Sequence, residues 1–196
     1  MHYHDISNDT KTLYQLNTNE EGVFFMLNRS GEITFELAGP GATAHVFSFT
    51  IGNGESKQTL TLTQKHLAPD TVSSAVVKGA LSGQATFTYD GVISIAKDAH
   101  RSDASQESRT LLLSKEARAY ARPALEILAH DVKCHHAATT SPLNEEALFF
   151  AKSRGLSEVV ARSLLVQGFF QEALEQMGKL GVDAKHVREQ LNAPHA

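Results

Sequence analysis

The hydrophobic pattern of the chain changes near residue 141. Before that point, short segments alternate between apolar and polar positions with a period of two, which is typical of β-strands. These segments are GVFFML (22–27), EITFEL (32–37), AHVFSFTI (44–51), QTLTLT (58–63), ATFTYDGVISI (85–95) and RTLLL (109–113). Turn-forming sequences such as NRSG and GNGES separate them. The spacing predicts a sandwich, a barrel or a stack of β-coils and does not distinguish between these three.

Beyond residue 141 the pattern is helical. Asn144 is predicted to cap a first helix that ends near Gly155, and Ser157 to cap a second, longer helix. Asp183 is predicted to cap a short third helix. Apolar residues of the second helix recur at spacings of three and four and form one stripe: Val160, Leu164, Ala173, Leu174 and Met177.

This pattern divides the chain into a β-domain over residues 1–140 and a helical subdomain over residues 141–196. With 196 residues, of which 41% are hydrophobic, the chain can bury one substantial core. The net charge is −4 and the basic residues are dispersed, which argues against a nucleic-acid partner. No apolar run approaches the roughly 20 residues of a membrane span, and no signal-peptide pattern is present. We therefore expect a soluble, cytoplasmic protein.

Cys134, the single cysteine, lies two residues before His136 in the segment DVKCHHAATT. In a strand, Cys134 and His136 would share one face, with Cα atoms about 6.6 Å apart, and His135 would face the other way. Two ligands make an incomplete metal site, because zinc and iron take about four. The spacing alone therefore leaves both a metal site and an ordinary strand open. His66 and His100 lie in turn-rich stretches and are expected to be solvated.

Six separated elements, in order and with compatible spacing, resemble the SufB/SufD family of iron–sulfur cluster assembly proteins. They are a leucine triplet (111–113), a Pro-x-Leu-Glu-Ile strand (123–127), Val-Lys-Cys-x-His-x-Ala-Thr (132–139), an acidic Leu-Phe helix (145–150), Ser-Arg-Gly (153–155) and an Ala-Arg…Gly-Phe helix (161–169). The resemblance covers about residues 66–177.

The resemblance implies a right-handed parallel β-helix, shortened here, with a C-terminal helical subdomain. Family members pair through their β-helices and dock a SufC-type ABC ATPase through their helices, and iron and sulfide are assembled between the paired β-helices. His136 matches the position whose histidine contributes to cluster assembly. The resemblance therefore implies that His136 and Cys134 hold an iron–sulfur cluster, or its iron, transiently and jointly with a partner chain.

Two departures from the family pattern indicate a SufD-like rather than a SufB-like chain. The scaffold-type subunit carries a sulfur-accepting cysteine where this chain has Glu107, and acidic residues where it has His135 and Ala137. This sequence also lacks the N-terminal helical region and several coils of full-length members. The implied partner is a SufB-type subunit or a second copy of the chain. We expect the chain itself to be an assembly component rather than an enzyme.

Two aromatic doublets, Phe149 with Phe150 and Phe169 with Phe170, place rings on more than one face of their helices. A unit of about 50 residues cannot bury both faces of three short helices. These four residues are therefore predicted to form the docking surface for the ATPase. The segment 1–30 is predicted to cap the open end of the shortened stack.

Two other functions compete with the assembly role. A small metal-dependent, cupin-like enzyme would use the clustered histidines and requires several of them to converge with a carboxylate. A polysaccharide-handling β-helix would line its groove with aromatic residues, which make up only 7% of this chain and include no Trp. The polysaccharide function therefore fits least well.

Overall fold

The computed structural model describes residues 2–191, so residue 1 of the predicted β-domain and residues 192–196 of the helical subdomain lie outside the described residues. Eleven strands are followed by three helices within this range. The strands are β1 (His2–Asp5), β2 (Leu13–Leu16), β3 (Glu21–Leu27), β4 (Gly31–Leu37), β5 (Thr43–Gly52), β6 (Lys57–His66), β7 (Val72–Leu81), β8 (Thr86–Ile95), β9 (Ser102–Leu112), β10 (Arg118–Ile127) and β11 (Val132–Pro142). The helices are α1 (Glu145–Ser153), α2 (Glu158–Lys179) and α3 (Lys185–Leu191).

The strands form two parallel sheets that the chain visits alternately. The odd-numbered strands make a six-stranded sheet in the order β1-β3-β5-β7-β9-β11, and the even-numbered strands make a five-stranded sheet in the order β10-β8-β6-β4-β2. Thr43 pairs with Val72, and Val72 pairs with Asp103, so one full coil takes about 30 residues. Each parallel crossover is thus supplied by a strand of the opposite sheet. The fold is a β-helix, which confirms the predicted coil stack and rules out the sandwich and the barrel.

The space between the two sheets is the main core, and aromatic rings fill its first coils. Tyr14 stacks on Phe35 with ring centroids 5.2 Å apart, and Phe35 lies 4.8 Å from Phe24. In β4, β6 and β8 the inward side chains are buried and alternate with partly exposed outward ones. Each fully buried large apolar side chain stabilises the fold by roughly 1.5–3 kcal/mol.

The six-stranded sheet is buried on both faces at β3, β5 and β7, because α2 and α3 cover its outer side there. Outward residues of β3 and β5, Phe25, Phe47 and Phe49 among them, form a second cluster with Phe170 and Met177 of α2. β3 and β5 are therefore buried along nearly their whole length, with an apolar run in β3 and with Ser48 and Thr50 among the buried residues of β5.

The helix boundaries agree closely with those that the sequence predicts. The Asn144 side chain accepts a hydrogen bond from the Ala147 amide, and Ser157 does the same for Val160. The Asp183 carboxylate accepts from the Lys185 amide at 3.0 Å. These caps satisfy amide donors that the first helical turn leaves free.

The N-terminal segment is part of the coil stack. Residues 2–27 contribute β1, β2 and β3, of which β1 and β2 are the terminal strands of the two sheets. Arg29 secures this coil by donating to the Ile6 carbonyl and the Tyr14 hydroxyl. The prediction that this segment caps the stack is therefore corrected: it forms the first coil itself.

Candidate functional site

The C-terminal end of the β-helix exposes the last strand of each sheet. Within residues 2–191, β10 pairs only with β8, and β11 pairs only with β9. The outer edges of β10 and β11 therefore present backbone groups on which another chain can pair. Exposed apolar side chains accompany this edge, including Leu125, Ile127 and Leu128.

Cys134 and His136 lie on β11 with the same orientation. They are in register with Ala104 and Gln106 of β9, which are both buried inward residues. His135 is in register with Ser105, whose position faces outward. Cys134 is half-buried, while both histidines are exposed. No further coil covers these side chains within the described chain, so they face the open end of the stack.

The thiol of Cys134 is embedded in apolar surroundings. It packs against a small cluster that includes Ile93, Ile95, Ala104 and Ala129. Burial, followed by the negative charge of Asp103, raises the pKa of the Cys134 thiol. Because a metal binds the thiolate, an incoming cation must displace this proton.

Cys134 and His136 supply only part of a metal site. Within residues 2–191, no group of three or more His, Cys, Asp or Glu side chains is placed to bind a metal ion. A thiolate and an imidazole are suitable ligands for iron or zinc, and two more ligands would complete a tetrahedral set. The chemistry of the donors fits an iron-containing cargo, and their number requires a second source of ligands.

A buried polar network lies beneath this end of the stack. His66 is completely buried: its Nδ1 lies 2.7 Å from the Thr71 hydroxyl and its Nε2 lies 2.7 Å from the Ser73 hydroxyl. Burial lowers the pKa of His66 to about 4, so the ring is neutral at physiological pH. The prediction that His66 is a solvated loop residue is therefore wrong, because the residue ends β6 at an inward position.

The network extends towards β11 through two glutamines. Gln64 donates from Nε2 to the Ser73 hydroxyl at 2.7 Å, and Gln106 donates from Nε2 to Gln64 Oε1 at 2.9 Å. Two buried polar atoms nearby, Gln106 Oε1 and the Tyr89 hydroxyl, have no hydrogen-bond partner among residues 2–191. Both lie close to Gly91, where a Cβ atom would come within 2.0 Å of Gln106 Oε1 and 2.8 Å of the Tyr89 hydroxyl. The sequence does contain a signal for this network, because Gln64 and His66 continue the inward positions of Leu60 and Leu62.

The two aromatic doublets have different environments. Phe149 and Phe150 are 73% and 59% exposed, whereas Phe170 is 1% exposed and its ring lies 5.0 Å from that of Phe49. Phe169 is partly buried, and the Lys78 ammonium lies 4.9 Å from its ring centroid. Phe170 therefore belongs to the contact between α2 and the sheet, and within this chain it is not on an exposed surface.

The exposed apolar residues of the helices concentrate on α1 and the first half of α2. We call this set the hairpin patch; its members are Phe149, Phe150, Val159, Val160 and Leu164. The apolar stripe of α2 is thus divided, because Ala173, Leu174 and Met177 are buried against the sheet. Within the described residues, no helix is both long and apolar enough to cross a bilayer.

Charged side chains fix α2 on the sheet. The buried Lys78 ammonium donates to the Phe169 carbonyl at 2.7 Å and to Glu172 at 3.2 Å. Arg109 of β9 contacts both Glu172 and Glu107. Burial lowers the pKa of Lys78, and the hydrogen bond from Lys78 lowers the pKa of Glu172. Glu107 therefore belongs to an ion cluster on the outer face of the sheet.

Comparison with known proteins identifies a family and several related sequences. The family model described as the SUF system FeS cluster assembly, SufBD core domain, matches residues 25–169. An iron-sulfur cluster assembly SufBD family protein of Mycobacterium leprae is 32% identical over 165 residues, which cover 80% of this chain and 41% of that protein. The iron-sulfur cluster assembly protein SufD of Bacillus subtilis is 29% identical over 156 residues, covering 80% of this chain and 36% of that protein.

A third relative is the SufD protein of Escherichia coli, which is 31% identical over 105 residues, 54% of this chain and 25% of that protein. The chain thus spans between 25% and 41% of the length of these curated relatives. The family match nevertheless covers most of the β-helix and the helical hairpin, including Cys134, His136 and the hairpin patch. On this evidence, the chain belongs to the SufBD core-domain family of SUF-system proteins.

Proposed function

We propose that this chain is a SufD-like, non-enzymatic component of iron–sulfur cluster assembly in the cytoplasm. The observation that carries the proposal is the position of Cys134 and His136, which share one face of the terminal strand β11 in a SufBD core fold. Relatives that match this region bear names of iron–sulfur cluster assembly proteins.

A second chain completes the site in this proposal. Cys134 and His136 supply two ligands, and the free edges of β10 and β11 offer backbone groups and apolar side chains for pairing at the same end of the stack. A SufB-type subunit would contribute its own ligands to the iron or cluster that passes through the site. A second copy of this chain would instead contribute another Cys134 and His136, giving two thiolates and two imidazoles, a donor set known to bind metals tetrahedrally.

The hairpin patch serves as the docking surface for a SufC-type ABC ATPase in this proposal. Its five apolar residues are exposed on α1 and the first half of α2, and large exposed apolar surfaces mark interaction sites. Arg154, whose guanidinium lies 4.8 Å from the Phe150 ring centroid, adds a cation beside the patch. The ATPase activity of such a complex resides in the partner.

The experiment is anaerobic reconstitution with a SufB-type partner and a SufC-type ATPase, followed by iron and sulfide quantitation. His136→Ala should reduce iron and sulfide retention to the level without this chain, because half of its ligand pair is lost. His135→Ala is the matched control, since it removes a neighbouring imidazole from the opposite face of β11. If the His136→Ala complex retains as much iron and sulfide as the unaltered complex, the Cys–His pair has no role in assembly.

The cupin-like alternative does not fit the structure. Cupins are built on antiparallel jelly rolls, whereas every strand pair in the described chain is parallel. His66, one of the residues available to such an enzyme, is enclosed in the core and uses both ring nitrogens in hydrogen bonds to hydroxyl groups.

A further inference from the structure

We propose that Asn53 is a site of spontaneous deamidation and that the Ser82 hydroxyl limits the rate of this modification. Asn53 lies at the corner between β5 and β6. Strand β5 is three strands away from β11 in the six-stranded sheet, so the site is separate from Cys134 and His136 and does not depend on the proposed function.

The sequence distinguishes Asn53 from the other asparagines. The chain has seven asparagines, and only Asn53 is followed by glycine. The main-chain nitrogen of the next residue can attack an asparagine amide, and the two groups react readily because they are already held close together. Glycine has no Cβ atom to obstruct this approach. Asn53 is therefore the asparagine whose neighbour opposes the reaction least.

The turn leaves the attacking nitrogen accessible. The Asn53 carbonyl accepts a hydrogen bond from the Ser56 amide at 3.1 Å, and Gly54 has a φ of 59°, so residues 53–56 form a tight turn. Gly54 is exposed, and within residues 2–191 only its chain neighbours lie within 4 Å of the position that a Cβ atom would take. In the same range the Gly54 N–H donates to no other group. Neither packing nor a hydrogen bond therefore protects this nitrogen.

A hydrogen bond from the next coil holds the Asn53 side chain. Ser82 donates from Oγ to Asn53 Oδ1 at 2.7 Å, and its alternative acceptor, the Gly52 carbonyl, is more distant at 3.4 Å. The main chain on both sides is fixed separately, because the Ser82 amide donates to Gly52 and the Gln84 amide donates to Gly54. Ring closure therefore depends on rotation of the Asn53 side chain, and this rotation breaks the bond to Ser82.

The reaction needs only water as a co-reactant. The Gly54 nitrogen forms a bond to Asn53 Cγ, the bond between Cγ and Nδ2 breaks, and the Gly54 amide proton leaves with Nδ2 as ammonia. The product is a cyclic imide. Water then opens the imide at one of its two carbonyl groups, which gives either aspartate or isoaspartate at position 53.

The two products have different effects on this corner. Aspartate keeps an acceptor for the Ser82 hydroxyl and adds a negative charge near Glu55. Isoaspartate lengthens the main chain by one carbon between the residues whose carbonyls bind the next coil, Gly52 and Gly54. Isoaspartate should therefore loosen the contact between the two coils, and aspartate should largely preserve it.

The test is incubation of the purified chain in mildly alkaline buffer, followed by peptide mapping with mass spectrometry and enzymatic labelling of isoaspartate. Asn53 should be the first of the asparagines to convert. Ser82→Ala should raise the rate at Asn53 about five-fold, the usual effect of one neutral hydrogen bond, and Ser82→Thr, which keeps the hydroxyl, should leave it unchanged. Ser114→Ala is the matched control, because Ser114 donates to the Gly83 carbonyl at the following corner.

Earlier conversion of another asparagine, or an unchanged rate at Asn53 in Ser82→Ala, would overturn the inference. Asn28 is the internal reference for general loosening of the fold, since its Oδ1 accepts from the Ile51 amide. An equal rise at Asn28 and Asn53 in Ser82→Ala would refute a specific role of Ser82. If Ser82→Ala does not fold, the unaltered chain is compared in buffer and in urea, and equal rates at Asn53 in the two states would overturn the inference.

Discussion

Phe170 and Phe149 are predicted to respond in opposite ways to the same truncation. Phe170→Ala should lower the free energy of unfolding by about 3–5 kcal/mol, the usual range for a buried Phe. Phe149→Ala should change it by no more than about 0.5 kcal/mol, as is usual for exposed positions. The reason is their burial: Phe170 is 1% exposed between α2 and the six-stranded sheet, whereas Phe149 is 73% exposed on α1.

The magnitude for Phe170 has two sources. Its ring pairs with Phe49 at a centroid distance of 5.0 Å and an interplanar angle of 54°, and such a pair contributes about 0.5–1.5 kcal/mol beyond area burial. The remainder is lost apolar burial and the cavity left in the cluster that Phe170 shares with Leu174 and Met177. Phe149 lines no such cluster, so its truncation leaves no cavity.

Urea denaturation followed by circular dichroism at 25 °C measures the stability of both variants, and titration with a SufC-type ATPase measures their binding. Phe149→Ala should weaken binding at least five-fold, which corresponds to about 1 kcal/mol, if the hairpin patch is the docking surface. A stability loss for Phe149→Ala as large as that for Phe170→Ala would refute the packing argument. Unchanged affinity in both Phe149→Ala and Phe150→Ala would place docking on another surface.

Three further outcomes follow from buried groups. The His66 imidazole has a pKa of about 4 in the fold and of 6.5 in the unfolded chain, so its contribution to stability is complete above pH 6.5. As the pH falls from 6.5 towards 4, the chain should lose about 3 kcal/mol of unfolding free energy. His66→Gln should reduce this pH dependence of stability in urea titrations. The hydrogen bond from Lys78 lowers the pKa of Glu172, so Glu172 stabilises the fold above its ordinary pKa of 4.5 and loses this effect as the pH falls below 4.5. Glu172→Gln should remove this part of the loss of stability in acid. Gly91→Ala should destabilise the chain by about 1–3 kcal/mol, because the added Cβ would displace the Gln106 amide, and an unchanged urea midpoint would contradict this packing.

The strands that show the clearest alternation in the sequence have one face towards the core and one towards solvent, although the segments of β3 and β5, which are buried on both faces, are also predicted. β4, β6 and β8 alternate clearly, and their segments appear in the sequence as period-two patterns. β7 was missed because helix α2 covers its outer face, so that Val76, Lys78 and Ala80 are buried there, and because Ser73 faces the core. The sequence of β7 therefore does not alternate between apolar and polar residues. Short-range patterns cannot contain this information, because it depends on a helix about 90 residues away.

The burial of Phe170, which was predicted to lie on the docking surface, also depends on a distant part of the chain. Phe169 and Phe170 pack on the same cluster, with ring centroids 5.2 Å apart, and only Phe170 is fully buried. Whether such a ring is exposed depends on what lies opposite, and the outer face of β5, with Phe47 and Phe49, covers Phe170. Nothing in the helical segment itself distinguishes Phe170 from the exposed Phe150.

The buried polar residues are the part of the candidate site that could have been predicted from the sequence. In β6, Leu60 and Leu62 point inward, and Gln64 and His66 hold the next two inward positions. Burying such groups is unfavourable unless each finds a partner, so polar residues at inward positions require a network across the interior. That network ends at Gln106, one coil below His136, with an acceptor that has no partner in the described chain. A repeating coil satisfies its interior groups from the coils on either side, and at the last coil one of these sides is open. Cys134 and His136, on the last strand of the six-stranded sheet, therefore keep unused ligand capacity, which is the property that a site shared with a second chain requires.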